Sequence, residues 1–199
     1  MKALILNCTL KPSPERSNTA ALADVIADAL HGHGVETEKL RALDHHIAHG
    51  VKTDMGSGDQ WPALHDKLLA ADILVIASPT WLGRPSSVAQ QVLERMDAMI
   101  TEMRDGKPVA YGKVAGVVCT GNEDGAHHVI SEICGALIDI GYTIAPQAWT
   151  YWNRGPGPGK SYLETDERHD WSAKTGRQAA ANLVTAAQAL REATFRYAQ

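Results

Sequence analysis

The feature that most constrains the fold is a regular alternation of short apolar segments with longer amphipathic ones. Short apolar runs bounded by turn residues are typical of buried parallel strands, and apolar side chains at helical spacing indicate helices that pack on them. Strands are predicted at residues 2–8, 35–40, 73–77, 114–119 and 142–149. Helices are predicted at residues 19–30, 61–71, 126–140 and 171–197, with another that begins at residue 86 or 87 and includes Met99.

This alternation predicts an α/β fold in which one parallel sheet carries helices on both faces. Ligands of such sheets bind beyond the carboxyl ends of the strands, where the strand order reverses. The rule selects three loops, at residues 9–19, 79–87 and 120–128, after the first, third and fourth strands. Because no repeat, linker or change of composition divides the chain, residues 1–199 are expected to form a single domain.

Composition narrows the classes of partner. Nineteen basic and 23 acidic side chains give a formal charge of -4, so there is no basic footprint for nucleic acid. The sequence has no signal-like N-terminus and no apolar run that approaches the ~20 residues of a membrane helix. These observations favour a cytoplasmic protein without a membrane partner. The three cysteines, Cys8, Cys119 and Cys134, are odd in number and far apart, so neither disulfides nor a metal site is expected.

The first loop places hydroxyl and charged side chains directly before a helix. The first backbone N–H groups of a helix lack partners and its dipole makes that end partly positive, so an anion binds well there. Ser17, Asn18 and Thr19 add side-chain donors, and Arg16 adds a positive charge. These residues predict a phosphate site, but a helix cap by Ser17 or Asn18 fits them equally well. The loop lacks the dinucleotide-binding and Walker A motifs.

The second loop, Pro79 to Ser87, contains two prolines and presents Trp81 where a ligand would lie. An indole can stack on a planar ring, and the N–H groups of the loop can reach polar atoms at the edge of that ring. The alternative is a tight turn that ends at a serine cap, with Trp81 covering the core.

The third loop, residues 120–125, is rich in Gly, Asn and Asp, which tolerate the backbone angles needed to present N–H groups to a ligand. An ordinary turn capped by Asp124 is the alternative. His127 and His128 follow on the first helical turn, where either a proton donor or a solvated side chain is possible. Adjacent histidines point in different directions and lack a third ligand, so no metal is expected.

A phosphate site, an aromatic side chain and a polar turn on one sheet edge predict a phosphorylated planar heterocycle, and FMN fits best. Three segments, Ser17 to Thr19, Pro79 to Ser87 and Thr120 to His127, resemble the flavodoxin-like NADPH-dependent FMN reductases, including multimeric flavodoxins similar to WrbA-type quinone reductases. The resemblance extends over nearly the whole chain. It implies a flavodoxin-like, five-stranded parallel sheet in the order 2-1-3-4-5.

The resemblance also implies roles for individual residues. It assigns the FMN phosphate to Thr9, Arg16, Ser17, Asn18 and Thr19, the face and one edge of the isoalloxazine to Pro79, Thr80, Trp81, Leu82 and Gly83, and its other polar edge to Thr120, Gly121, Asn122, Glu123, Asp124 and Gly125. NAD(P)H would reduce the flavin, which would then reduce a quinone, a free flavin or a nitro compound. No catalytic side chain is required, and His127 is the first candidate.

The resemblance further implies a homodimer or homotetramer. The aromatic residues between Trp149 and Tyr162 would cover the flavin, meet a second subunit or anchor a surface loop. The main alternative function is a flavodoxin-type electron carrier that binds FMN without turnover of its own. Such carriers are usually strongly acidic, whereas the charge of -4 is modest.

Overall fold

The computed structural model describes residues 1–157, 159–193 and 195–197. Five main strands alternate with five helices, as the sequence predicts. The strands are β1 (Lys2–Asn7), β2 (Glu36–Arg41), β3 (Ile73–Trp81), β4 (Val114–Gly121) and β5 (Thr143–Asn153). The helices are α1 (Asn18–Gly32), α2 (Trp61–Ala70), α3 (Ser87–Met96), α4 (Ala126–Ile140) and α5 (His169–Glu192).

The main strands form a parallel sheet in the order β2-β1-β3-β4-β5. The predicted class and strand order are therefore confirmed. The register sets Ser78 beside Cys119 and Pro79 beside Thr120, so β3 and β4 end side by side. Since β1 pairs with the other side of β3, the loops that follow these three strands meet at one edge of the sheet.

Helices cover both faces of the sheet. On one face, α1 and α5 bury Leu22, Ile26 and Leu183. On the other face, α2, α3 and α4 bury apolar stripes such as Val88, Val92 and Met96 of α3, spaced four residues apart. Full burial of each such side chain stabilises the fold by about 1.5–3 kcal/mol. Because the helices bury these side chains against both faces of the sheet, the strands lie at the centre of the molecule. No helix in the described part of the chain is long and apolar enough to cross a membrane.

Several predicted boundaries were wrong, and the helix predicted to include Met99 ends at Met96, with Met99 in a separate helical turn. The third strand was predicted to stop at Ser78-Pro79, but β3 continues to Trp81, because its end pairs with the short returning strand Arg84–Pro85. The last helix was predicted at 171–197, but it runs from His169 to Glu192; residue 194 of that prediction lies outside the described residues. The fifth strand extends beyond 149 to Asn153, because an irregularity in its pairing accommodates Pro146.

A buried ion pair holds the long connection between β2 and α2. The Nη2 atom of Arg95, a fully buried side chain on α3, lies 2.7 Å from Asp59 Oδ2. The same guanidinium donates to the carbonyl oxygens of Ala48 and Lys52, and it lies 5.4 Å from the ring centre of Trp61. The guanidinium and the carboxylate therefore both have hydrogen-bond partners, which buried ions require.

Candidate functional site

A cleft opens beyond the carboxyl ends of β1, β3 and β4, at the edge selected from the sequence. Its volume is about 260 Å³. The predicted residues that line it are Thr9, Asn18, Thr19, Pro79, Thr80, Trp81, Thr120, Gly121 and Asn122. The structure thus brings one part of each of the three predicted loops together.

The start of α1 forms the polar floor of this cleft. Ser17 is the N-cap of α1, and its Oγ accepts a hydrogen bond of 3.1 Å from the N–H of Ala20. Within the described residues, the N–H groups of Ser17, Asn18 and Thr19 have no hydrogen-bond acceptor. A cap that accepts a hydrogen bond keeps its own hydroxyl hydrogen. The cap interpretation of Ser17 is therefore correct, and the helix end also keeps free donors for an anion.

Buried hydroxyl groups connect the floor to the neighbouring strands. The Oγ1 atoms of Thr19 and Thr120 lie 2.7 Å apart, and Thr80 Oγ1 lies 3.1 Å from Cys119 Sγ. Thr9 is buried at the end of β1, where its N–H donates to Asn7 Oδ1 at 3.1 Å. These contacts fix the polar groups of the floor before any ligand arrives, which reduces the ordering cost of binding.

The second loop is a tight hairpin at the rim. Leu82 and Gly83 have φ values of 51° and 73°, which is the type I′ geometry of a two-residue turn between β3 and the strand Arg84–Pro85. Trp81 is 53% exposed and Leu82 is 93% exposed. A leucine with positive φ is strained, so the surroundings must hold this turn in place.

The third loop supplies that support. Glu123 Oε1 accepts a hydrogen bond of 2.8 Å from the N–H of Leu82. Gly125 has a φ of 110°, and a Cβ atom on it would lie 2.7 Å from Gly83 Cα. The second and third loops are therefore joined through a hydrogen bond and a glycine contact, and neither Glu123 nor Gly125 lines the cleft itself.

Several predicted residues lie outside the cleft lining: Arg16, Ser17, Leu82, Gly83, Glu123, Asp124, Gly125 and His127. Arg16 and Asp124 are exposed, and Asp124 does not cap α4, because the N-cap position is Gly125. His127 is exposed and contacts the edge of the Tyr151 ring, with ring centres 5.0 Å apart. His128 lies 3.0 Å from Glu132 on the outer surface of α4.

Four lining residues were missed from the sequence, Leu10, Lys11, Ser161 and Glu164; a fifth, Tyr162, ends the aromatic segment that was expected to cover the flavin, meet a second subunit or anchor a surface loop. Three of them belong to a segment that follows β5 and crosses the sheet edge toward α1. Two contacts hold this segment: the N–H of Gly159 donates to Asn122 O at 3.1 Å, and the N–H of Leu163 donates to Asn18 Oδ1 at 3.0 Å. The spacing Ser161-x-x-Glu164 is a capping-box signal that could have marked this helical turn.

The titratable groups near the cleft do not supply a thiolate nucleophile. Burial raises the pKa of Cys8 and of Cys119 to about 12, so both thiols stay protonated at neutral pH. Cys8 is completely buried, so it is a packed side chain of the core. Hydrogen bonds from Ser161 hold the pKa of Glu164 below its usual value, so one ionised carboxylate lies at the cleft.

Known proteins resemble this chain in sequence and in fold. Residues 1–154 match the model of a family described as NADPH-dependent FMN reductase. A protein of Streptomyces davaonensis named 8-demethyl-8-aminoriboflavin-5′-phosphate synthase is 39% identical over 98% of this chain and 80% of its own length. A crystal structure of RosB with the bound intermediate 8-demethyl-8-formylriboflavin-5′-phosphate has a TM-score of 0.90 at 38% identity, covering 98% of this chain and 82% of that one.

Two further similarities are limited, one by the length that is matched and the other by low sequence identity. A Mycobacterium bovis protein named divalent metal cation transporter MntH is 41% identical over 96% of this chain, which spans 29% of the length of that protein. A flavodoxin from the domain Archaea has a TM-score of 0.58 at 15% identity, covering 92% of this chain and 99% of that one. Identity this low shows the fold alone, which is flavodoxin-like.

Proposed function

The chain belongs to the NADPH-dependent FMN reductase family, and from this premise we propose that it binds FMN in the cleft and passes electrons from NAD(P)H to a small-molecule acceptor. Membership in this family and the flavodoxin-like fold make it a flavin-linked oxidoreductase. The donor, the acceptor and the residues assigned below belong to the proposal. The acceptor classes that we propose are quinones, free flavins and nitro compounds.

The observation that carries the proposal is the free end of α1 at the floor of the cleft. The unpaired N–H groups of Asn18 and Thr19, which both line the cleft, match the oxygens of a phosphate monoester, and the helix dipole favours its charge. The hydroxyl of Thr9 and the ammonium of Lys11 lie in the same lining. Arg16 is close in sequence but does not line the cleft, so we propose at most a long-range attraction from it.

The rim fits a flat ring. Trp81 lines the cleft and is half-exposed, and the hairpin that carries it is fixed by Glu123. Within the described residues, the N–H group of Asn122, which lines the cleft, has no acceptor, so it can stabilise negative charge at the polar edge of the ring. We propose that Pro79 and Thr80 line the same edge, and that Leu82 and Gly83 act by placing Trp81.

When bound, FMN supplies the redox chemistry, because its ring accepts a hydride from a reduced nicotinamide and gives two electrons to an acceptor. The protein holds the phosphate, orients the ring and leaves one side open to the two substrates in turn. No side chain needs to act as an acid, base or nucleophile. His127 therefore stays a secondary candidate, and its contact with Tyr151 favours a role outside the cleft.

Exposed apolar side chains beside the cleft support the proposed homodimer or homotetramer. Leu82 is 93% exposed, and Leu10, which lines the cleft, is 42% exposed. A cleft of about 260 Å³ is smaller than the roughly 300–1,000 Å³ of most ligand pockets, so a second subunit would complete it. Light scattering of the FMN-loaded protein tests this association; a monomer at micromolar concentration would contradict it.

The phosphate assignment is tested by removing one N–H group. Asn18 is the first helical residue of α1, a position where proline fits, and Ser17 before it has the extended backbone that proline requires. Asn18→Pro removes both the N–H and the side chain, whereas Asn18→Ala removes the side chain alone. We expect Asn18→Pro to bind FMN on the order of tenfold more weakly than Asn18→Ala. Equal FMN affinities would show that this N–H does not bind the phosphate.

The activity is tested by anaerobic stopped-flow mixing of the FMN-loaded protein with NADH or NADPH, followed by quinones, flavins and nitroaromatics. Loss of the flavin absorbance near roughly 450 nm on mixing reports reduction of the cofactor. Sustained oxidation of the nicotinamide with an acceptor supports the enzyme. Reduction without such turnover would instead support the electron carrier.

A second candidate function is modification of FMN itself. The 39% identity to a protein named 8-demethyl-8-aminoriboflavin-5′-phosphate synthase favours it, because that name describes a changed flavin as the product. Oxidation of the 8-methyl group of FMN to a formyl group removes four electrons, which one molecule of O₂ accepts to give one water. Mass spectrometry of the flavin after aerobic incubation distinguishes the two candidate functions. An unchanged mass supports FMN as a cofactor, whereas a gain of one oxygen with loss of two hydrogens supports FMN as a substrate.

A further inference from the structure

A second cleft lies beside β5, the last strand of the sheet. It is lined by Tyr151, Trp152, Asn153, Arg168 and Trp171, and its volume is about 360 Å³. This volume lies within the roughly 300–1,000 Å³ of ligand pockets. We propose that this second cleft binds the nucleoside-phosphate end of the electron donor, with its base against Trp171 and a phosphate on Arg168. The inference rests on the proposed function, in which that donor is NAD(P)H.

The second cleft has an aromatic wall. Trp171 is in the first turn of α5 and is 45% exposed, and its ring centre lies 4.9 Å from that of Tyr151. The planes of the two rings meet at 62°, so the rings are not stacked on each other, and the exposed part of the indole is available to a ligand. A planar base stacks favourably on such a side chain.

Arg168 gives the second cleft a positive charge. It is exposed, and its Nη1 atom lies 3.5 Å from Asn153 O, which is too long for a strong hydrogen bond. Among the described residues, no carboxylate forms an ion pair with it; the neighbouring Glu167 pairs with Arg154 at 3.2 Å. A guanidinium whose donors are largely unused is suited to bind a phosphate in two-point geometry.

The backbone of Arg168 is also unusual. Its φ of 61° and ψ of 12° place a residue with a full side chain in the left-handed region, at the N-cap of α5. Such a conformation is strained, and it is often retained where it directs a side chain toward a ligand. The N–H groups of Asp170 and Trp171 have no acceptor within the described residues, so the end of α5 adds to the attraction for an anion.

The second cleft lies next to the first along the edge of the sheet. Asn153 lies beside Gly121 and Trp152 beside Thr120 in the register of β4 and β5, and both Gly121 and Thr120 line the first cleft. Neighbouring strands are about 4.8 Å apart. A dinucleotide is long enough to place its nicotinamide at the first cleft and its other nucleotide at the second.

Calorimetric titration of the FMN-loaded protein tests the inference with three probes: adenosine 2′,5′-bisphosphate, adenosine 5′-monophosphate and inorganic phosphate. We expect adenosine 2′,5′-bisphosphate to bind to the wild-type protein. Arg168→Gln should lower its affinity on the order of tenfold, because one charge-assisted hydrogen bond is lost. Arg177→Gln, an exposed arginine further along α5, is the matched control and should leave the affinity unchanged. The KM for NADPH should rise in Arg168→Gln while kcat and the FMN affinity stay constant.

Trp171→Ala should lower the affinity for adenosine 2′,5′-bisphosphate on a similar scale. Trp171→Leu keeps the apolar volume, so it distinguishes the loss of stacking from the loss of packing. A bisphosphate that does not bind, or that binds Arg168→Gln and Arg177→Gln equally, would overturn the inference. If the protein oxidises NADPH but fails to bind the bisphosphate, only the second cleft is misassigned. If FMN binds and neither nicotinamide reduces it, the proposed donor fails independently of the titration.

Discussion

The hydroxyl oxygens of Thr19 and Thr120 lie 2.7 Å apart in the floor of the first cleft, where both side chains are buried. This contact joins the first turn of α1 to the end of β4, two elements that are 101 residues apart in sequence. It fixes the distance between the proposed phosphate site and the proposed ring site. The pair therefore contributes both to folding and to the shape of the site.

Substitution of either threonine by valine should destabilise the protein. Thr120→Val leaves the hydroxyl of Thr19 buried without its partner, which costs about 1–3 kcal/mol in the free energy of unfolding. The double variant Thr19→Val with Thr120→Val should lose less than the sum of the single variants, because neither hydroxyl is then stranded. Urea unfolding measures all three, with the exposed Thr185→Val as control. Strictly additive losses would mean that the two hydroxyls do not interact.

Glu123 should act on FMN affinity without contacting the cofactor. Its carboxylate holds the N–H of Leu82 at 2.8 Å and thereby the hairpin that carries Trp81. Glu123→Ala removes the acceptor and should weaken FMN binding severalfold, whereas Glu123→Gln keeps an oxygen acceptor and should stay close to the wild type. Fluorescence titration of FMN compares the variants. Equal losses in both would point to the charge of Glu123 rather than to the position of the hairpin.

The limits of the sequence prediction are visible in the same hairpin. The apolar run Ile73 to Ala77 predicts a strand, but its extension to Trp81 depends on pairing with a short return strand. Turns of this type usually contain Asn-Gly or Asp-Gly, and the pair Leu82-Gly83 gives a weaker signal. The three loops were located because parallel strands end at one sheet edge, a rule that needs no side-chain detail.

The path of the crossing segment after β5 was not predicted, although covering the flavin was one of the roles considered for its aromatic residues. Its path is set by Asn122 and Asn18, which lie far from it in sequence and hold Gly159 and Leu163. Local patterns carry no information on such distant partners. Trp171 and Arg168 escaped notice for the same reason, because α5 and β5 come together only in the folded chain.

Two glycines of the α4 region should respond to alanine in opposite directions. Gly125 has a φ of 110°, and its added Cβ would lie 2.7 Å from Gly83 Cα. Gly125→Ala should therefore destabilise the protein by about 1–3 kcal/mol and weaken FMN binding through the displaced hairpin. Gly135, within α4, has open space around its Cβ position, so Gly135→Ala should stabilise by about 0.5–1 kcal/mol. Thermal unfolding with and without FMN measures both, and a neutral Gly125→Ala would contradict the tight contact.

The ion pair of Asp59 and Arg95 should produce a loss of stability in acid. Hydrogen bonds from Arg95 hold the pKa of Asp59 well below the value of about 3.9 in an unfolded chain. Because the folded pKa is the lower one, the stabilisation is complete above about pH 4 and is lost as the pH falls below it.

Asp59→Asn removes the charge that compensates a buried guanidinium, and we expect it to cost about 3–5 kcal/mol at pH 7. The difference between this variant and the wild type should shrink as the pH falls from 4 to 3, because protonation removes the same charge from the wild type. Urea unfolding at pH 7, 5, 4 and 3 measures it. Asp24→Asn is the control: its ion pair with Lys39 is exposed, so it should cost no more than about 1 kcal/mol. A difference between Asp59→Asn and the wild type that stays constant with pH would exclude this carboxylate as the source of the acid sensitivity.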